Sequence, residues 1–292
     1  MQLVSRTVRA NGLDFPVLEA GIGPLVMCLH GFPDHARSWT RLMTELASAG
    51  YRAVAPAMRG YWTAGAAPDG CYQSWATGAD ALALIEALGE EAATIIGHDW
   101  GASAAYAAAA LEPARVERLV TLAVPYGPQV GAAMILDGDQ QRRSWYMFFF
   151  QTALALPAVA ANEYAFIDRL WEEWSPGYRL SDPDRGALKK MFSEPGVLGQ
   201  ALDYYRQLFG GPSVRPEWAE QAARAAGMIS APTLYLHGRN DGCMSVSLMN
   251  GMETRFSGGL TKIVVEDAGH FLHLEQPDVV AAEIVAFLKS SP

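Results

Sequence analysis

The chain has 292 residues, half of them apolar, and a formal net charge of −9. The apolar share supports a sizeable core and excludes a disordered chain. The acid excess argues against nucleic acid or an anionic membrane surface as a partner. Cys28, Cys71 and Cys243 are scattered and follow no C-x-x-C spacing, so neither a disulfide framework nor a zinc site is expected. No apolar signal-peptide core precedes Arg9, which makes the cytoplasm the expected location.

Residues 2–9 alternate in polarity, Asn11-Gly12 marks a hairpin turn, and Phe15 to Leu18 returns as a second strand. After a turn at Gly21-Ile22-Gly23-Pro24, the continuous apolar run Leu25-Val26-Met27-Cys28-Leu29 reads as a strand covered on both faces. A helix from about Ser38 to Ala49, a strand from Tyr51 to Pro56 and a helix near Ala79 to Leu88 follow. Ala92 to Ile96 and Val116 to Val124 are two more strands, with a helix over Ala102 to Leu111 between them. This β-α alternation with short connections predicts a parallel sheet wrapped by helices. Residues 127–227 then show helical periods, many aromatics and no convincing strand. Strands resume at Thr233 to His237 and Lys262 to Glu266, and Pro277 opens a last helix. One α/β domain is therefore expected, with its core in residues 1–126 and 228–292 and a helical lid over 127–227. Trp145 to Asn162 carries no charge, but Gln151 and Pro157 interrupt it, so a buried lid is expected there and not a membrane span. Exposed apolar lid surface would favour greasy substrates or a homodimer.

The chemistry concentrates at Gly97-His98-Asp99-Trp100-Gly101, between an apolar strand and an alanine-rich helix. A reactive side chain bracketed by glycines at this junction is a nucleophile elbow, and here the nucleophile is a carboxylate. The blander alternative is an aspartate capping the helix. Partners follow in the order such elbows use. Gly238-Arg239-Asn240-Asp241 follows a strand directly, which places Asp241 at its carboxyl end, and His270 lies on the loop after the last strand. Three strand ends thus deliver nucleophile, acid and base in sequence. Asp267 competes with Asp241 to orient His270, and Asp241 is preferred because it ends its own strand. His30 is expected to hydrogen-bond beneath the loop that follows it. His35, His98, His237 and His273 show no metal-ligand spacing, and no phosphate-binding loop is present, so neither a metal nor a cofactor is required.

On these residues the chain resembles the α/β-hydrolases, and among them the soluble epoxide hydrolases. His30-Gly31-Phe32-Pro33 matches their H-G-x-P loop and Gly97 to Gly101 their elbow, while Ser144-Trp145-Tyr146 and Tyr204-Tyr205-Arg206 resemble two lid motifs. The likeness covers essentially the whole chain. Ala57 and Trp62 depart from the family's usual D-x-R-G-x-G-x-S, which puts the local loop path in doubt. The resemblance implies a mostly parallel twisted sheet flanked by helices, with the lid inserted after the sixth strand. It implies that Asp99 attacks an apolar epoxide, that Tyr146 and Tyr205 donate to the ring oxygen, and that His270, oriented by Asp241, activates water. The amides of Phe32 and Trp100 would form the oxyanion hole. Phe32, Pro33, Trp100, Trp145, Phe149 and Phe271 are expected to line the pocket, and the Phe32-Pro33 peptide is expected to be cis.

Haloalkane dehalogenases share the aspartate elbow and the following tryptophan, but often carry Asn where Phe32 stands. Fluoroacetate-type dehalogenases share H-G-F-P but follow the nucleophile with arginines, where this chain has Gly101-Ala102-Ser103. A non-catalytic protein that binds through its lid cavity is the remaining alternative.

Overall fold

The computed structural model describes residues 3–62, 65–210 and 214–290. Eight strands form one sheet in the order β1-β2-β4-β3-β5-β6-β7-β8. They are β1 (Val4–Ala10), β2 (Leu13–Ala20), β3 (Leu25–Leu29), β4 (Arg52–Pro56), β5 (Ala93–His98), β6 (Val116–Leu122), β7 (Thr233–Gly238) and β8 (Leu260–Val265). β1 and β2 form the hairpin expected at Asn11-Gly12, and β2 meets β4 antiparallel; every other pairing is parallel.

Why β3 and β5 read as unbroken apolar runs is visible in their burial. Every residue of both strands is buried. Met27 and Ile95 join the core on one sheet face, while Val26, Cys28 and Ile96 join the core on the other. The alternation of a strand thus feeds two cores at once. α1 (Thr40–Ser48), α11 (Leu272–Glu275) and α12 (Pro277–Lys289) cover the second face, and α2 (Ser74–Ala87) and α3 (Trp100–Leu111) the first. α2 begins five residues earlier than its apolar pattern indicates, since the small and polar residues Ala76, Thr77 and Gly78 are buried along with it.

Between β6 and β7 the described residues hold α4 (Pro128–Leu136), α5 (Gly138–Arg143), α6 (Trp145–Phe149), α7 (Ala155–Trp174), α8 (Asp182–Ser193), α9 (Val197–Leu208) and α10 (Ala219–Ala225). The charge-free stretch is split between α6 and α7, and α7 itself kinks at Ala161–Tyr164, where three residues adopt positive φ. No helix among the described residues is long and apolar enough to cross a membrane.

The loop after β4, where Ala57 and Trp62 depart from the pattern, is held by other means. Ala57 N–H donates to Pro16 O at 2.8 Å and Met58 N–H to His30 Nε2 at 3.0 Å. Arg59 is buried in a two-pronged contact with Asp80 of α2, its Nε and Nη2 lying 2.5 and 2.6 Å from the two carboxylate oxygens. The chain then turns through positive φ at Gly60 and Trp62, leaving Tyr61 buried and edge-on to His30.

Candidate active site

β5 ends at His98, and the chain reverses into α3 through Asp99 alone. Its φ of 53° and ψ of −120° are unusual for a residue with a Cβ, a strain of about 1–3 kcal/mol that functional turns tolerate. The flanking glycines make the turn fit. A Cβ on Gly97 would lie 2.2 Å from Gly101 O, and one on Gly101 would lie 2.0 Å from Leu29 O. Asp99 makes no side-chain hydrogen bond to the first turn of α3, so it is not serving as a cap.

Its carboxylate has two different surroundings. Oδ1 accepts the Phe32 amide at 2.7 Å, and it lies beside the positive end of α3. The Phe32-Pro33 peptide is cis. Oδ2 lies 3.5 Å from His270 Nε2. The other ring nitrogen, Nδ1, is 3.0 Å from Asp241 Oδ2. Asp241 is in turn fixed through Oδ1, which accepts the amides of Cys243 at 2.7 Å and Met244 at 2.9 Å. Asp267 does not meet His270; it has a positive φ and is exposed.

Burial opposes charge on both members of the His270–Asp241 contact, yet the contact prevails. Asp241 is held below its ordinary range by His270 and His237 and by the backbone amides, and His270 is held well above its own by the Asp241 carboxylate and by contact with Asp99. His30, by contrast, is driven down to about 4 by burial, so it stays neutral, its Nδ1 donating to Gly31 O and its Nε2 accepting from Met58.

The His270 loop is tied to the end of α7. Trp174 O accepts both His270 N–H at 2.9 Å and Gly242 N–H at 3.0 Å. Ser175 Oγ accepts Phe271 N–H at 3.0 Å and donates to Glu275 Oε1 at 2.6 Å, while Glu275 Oε2 accepts Gly269 N–H at 2.8 Å. None of these anchors stands out in the sequence, because all but the Ser175–Glu275 bond act on backbone groups, and that one joins residues 100 positions apart.

Tyr146 from α6 and Tyr205 from α9 converge although 59 positions separate them, with ring centroids 5.5 Å apart. Both are fully buried, and burial raises both hydroxyls well above their ordinary pKa, so they stay protonated. Tyr146 Oη touches Cys243 Sγ at 3.3 Å. Tyr205 Oη is buried without a hydrogen-bond partner among the described residues. Its neighbour Tyr204 points elsewhere and donates to Arg59 O at 2.8 Å. The Trp100 ring packs edge-on to Tyr205 at 4.9 Å, and its indole N–H, beside the Tyr205 hydroxyl, makes no hydrogen bond of good geometry among the described residues.

A cavity of about 470 Å³ opens above Asp99, with an apolar wall that includes Trp100, Met147, Tyr205, Leu208, Cys243 and Met244. Of the residues expected to line a pocket, Trp100 does so. Phe32, Pro33, Trp145, Phe149 and Phe271 are not in this wall. Phe32 sits inside an aromatic cluster with Phe150, Phe192 and Tyr205, and Phe271 stacks on Trp171 at 3.5 Å. Trp145 and Phe149 pack against Phe166. Chain order does not reveal which aromatics of a helical layer point inward. Cys243 and Met244 could have been found, since they lie two and three residues after Asp241 on the same loop.

Among the described residues two groups of side chains could hold a cation: Asp34 with His98 and His273, and Asp241 with Cys243 and His270. Sequence spacing hid both, because the first draws on the loop after β3, the last residue of β5 and the short helix at Leu272–Glu275, and the second on the acid and base loops together.

The chain matches a family model described as the alpha/beta hydrolase fold over residues 24–277. It is 28% identical over 313 residues to a Caballeronia sordidicola protein named epoxide hydrolase, covering 97% of this chain and 93% of that one. It is 30% identical over 292 residues to mouse epoxide hydrolase 4, covering 97% and 78% respectively. The crystal structure of an epoxide hydrolase from Vigna radiata superposes with a TM-score of 0.83 at 28% identity, covering 98% of each chain. With its eight-stranded sheet and the aspartate at the β5–α3 turn, the chain belongs to the α/β-hydrolase fold family and, within it, to the epoxide hydrolase group.

Proposed function

We propose that the protein opens an epoxide to a vicinal diol through an ester on Asp99. One observation carries this reading. A carboxylate with one oxygen on an amide and the other facing an imidazole shares its surroundings with two buried tyrosines that converge from separate helices. In the first step a carboxylate oxygen of Asp99 bonds to an epoxide carbon as the carbon–oxygen bond of the ring breaks. The ring oxygen gains the electron pair and takes a proton from the Tyr146–Tyr205 pair.

In the second step water attacks the ester carbonyl and gives its proton to His270, which Asp241 orients. The Phe32 and Trp100 amides stabilise the oxyanion. The oxyanion then collapses, the diol leaves with a proton from His270, and the remaining water proton passes from the Asp99 carboxyl to the tyrosinate, which restores both groups. The helices between β6 and β7 act as a lid that keeps water from competing in the first step.

The test is to trap the ester. His270→Ala incubated with an epoxide that the wild type consumes should gain the mass of the whole epoxide, mapped to the Asp99 peptide. Failure to alkylate Asp99 would remove the assignment. A second reading, displacement of halide from a haloalkane, is favoured by the unpartnered indole N–H of Trp100, which could hold the departing halide. The adduct would then lack the halogen.

A further inference from the structure

We propose that Asp241, Cys243 and His270 form an inhibitory site for a thiophilic divalent cation such as Zn²⁺. One ligand atom from each residue lies within 4.8 Å of the others. Carboxylate, thiolate and imidazole are the donor types that a borderline-soft cation takes. The site is reachable, because Cys243 lines the cavity above Asp99, whereas none of Asp34, His98 and His273 does.

The geometry needs little adjustment. Asp241 Oδ2 and His270 Nδ1 are 3.0 Å apart. Metal–oxygen and metal–nitrogen bonds of about 2.0 Å in a tetrahedral site place such ligands roughly 3.3 Å apart. The carboxylate is already oriented by the two amides on Oδ1, which leaves Oδ2 as the ligating atom.

Binding reverses the histidine's chemistry. The thiol proton and the Nδ1 proton both leave. Where His270 starts neutral, one of them ends on Nε2; where it starts charged, both reach solvent. Either way Nε2 carries the ring's one hydrogen and cannot accept a proton from water. Alkylation of Asp99 uses neither nitrogen, so the cation blocks hydrolysis and the ester accumulates. This last consequence rests on the proposed ester, while the binding site itself does not.

Two probes separate these claims. Cd²⁺ titrated into the substrate-free protein should produce a thiolate-to-cadmium ultraviolet band that Cys243→Ala and Cys243→Ser lose, although both keep Cys28 and Cys71. A band unchanged in either variant overturns the site. Zn²⁺ should inhibit the wild type reversibly, with recovery on adding EDTA. In both variants, each compared with its own metal-free rate, about tenfold more Zn²⁺ or higher should be needed. Equal sensitivity of wild type and variants also overturns the site. Intact mass of the wild type with Zn²⁺ and epoxide should show the adduct that His270→Ala shows without metal. Cadmium binding with zinc inhibition but no adduct overturns the tautomer account. Failure of His270→Ala to form the adduct without metal counts against the proposed ester alone.

Discussion

Removing the hydroxyl of Tyr205 should move activity and stability in opposite directions. Its Oη is buried and, among the described residues, has only the Trp100 indole N–H beside it, outside good hydrogen-bond geometry; a poorly satisfied buried polar atom costs up to about 1–3 kcal/mol. Tyr205→Phe keeps the ring contacts with Phe32, Trp100 and Phe150, so the variant should gain up to about 1 kcal/mol. At about 2.1 cal/mol/K per residue of unfolding entropy, that is an increase in Tm of about 1–2 °C. Alkylation should fall by roughly one to three orders of magnitude, the scale of losing one donor to a developing oxyanion in a dry site. Tyr146→Phe should slow alkylation comparably but gain less stability, because its hydroxyl already contacts Cys243. The double variant should hardly alkylate, while hydrolysis of a preformed ester stays near the wild-type rate. Single-turnover rates by rapid quench, alongside calorimetric Tm, read both quantities. A double variant that alkylates as fast as wild type would refute the assignment and favour halide displacement.

Asp241→Asn should slow ester hydrolysis by about three to four orders of magnitude, since the amide can present a donor to Nδ1 and fix the wrong tautomer; alkylation should change far less, and transient kinetics separate the steps. Arg59→Met or Asp80→Leu alone should destabilise the fold by about 3–5 kcal/mol, because each strands a buried charge, whereas the pair together should recover much of the loss in urea unfolding. Asp34, pushed up to about 7 by burial against an unfolded value near 3.8, lies close to Ser38, His35, Asp99 and His270. A carboxyl raised on folding binds its proton more tightly in the folded state, so it weakens the fold above pH 7 and less so as pH falls toward 4. Asp34→Asn should remove this component from a Tm-versus-pH profile; an unchanged slope between pH 5 and 8 would disprove it.

Strand positions were legible because β3 and β5 are buried on both faces and must therefore be apolar throughout. Asp99, Asp241 and His270 were legible because each follows a strand end, and parallel strands bring such ends to one edge. The pocket was not. Whether Phe149 or Met147 faces the cavity depends on the rotation of a five-residue helix packed against three others, and the run Trp145-Tyr146-Met147-Phe148-Phe149-Phe150 is apolar on every side. Ala57 in place of Asp leaves the loop path open in the sequence, because the buried Arg59–Asp80 contact that holds it draws on a residue of α2 that local sequence does not connect to it.

β6 and β7 are neighbours in the sheet, so the helices between them leave and rejoin the core at adjacent points. That arrangement invites recombination, in which one relative's helices replace another's to change substrate preference. The single carbonyl of Trp174 limits where such a crossover can fall. It holds Gly242 and His270 together, and Ser175 steadies the following turn. A chimera that exchanges the whole segment therefore also exchanges the backbone fixture of its own base. Crossovers placed after Ser175, retaining α7 and replacing only α8 to α10, should keep hydrolysis intact while altering the Leu208 and Tyr205 side of the cavity. Exchanges that include the end of α7 should accumulate the Asp99 ester even when the new helices fold.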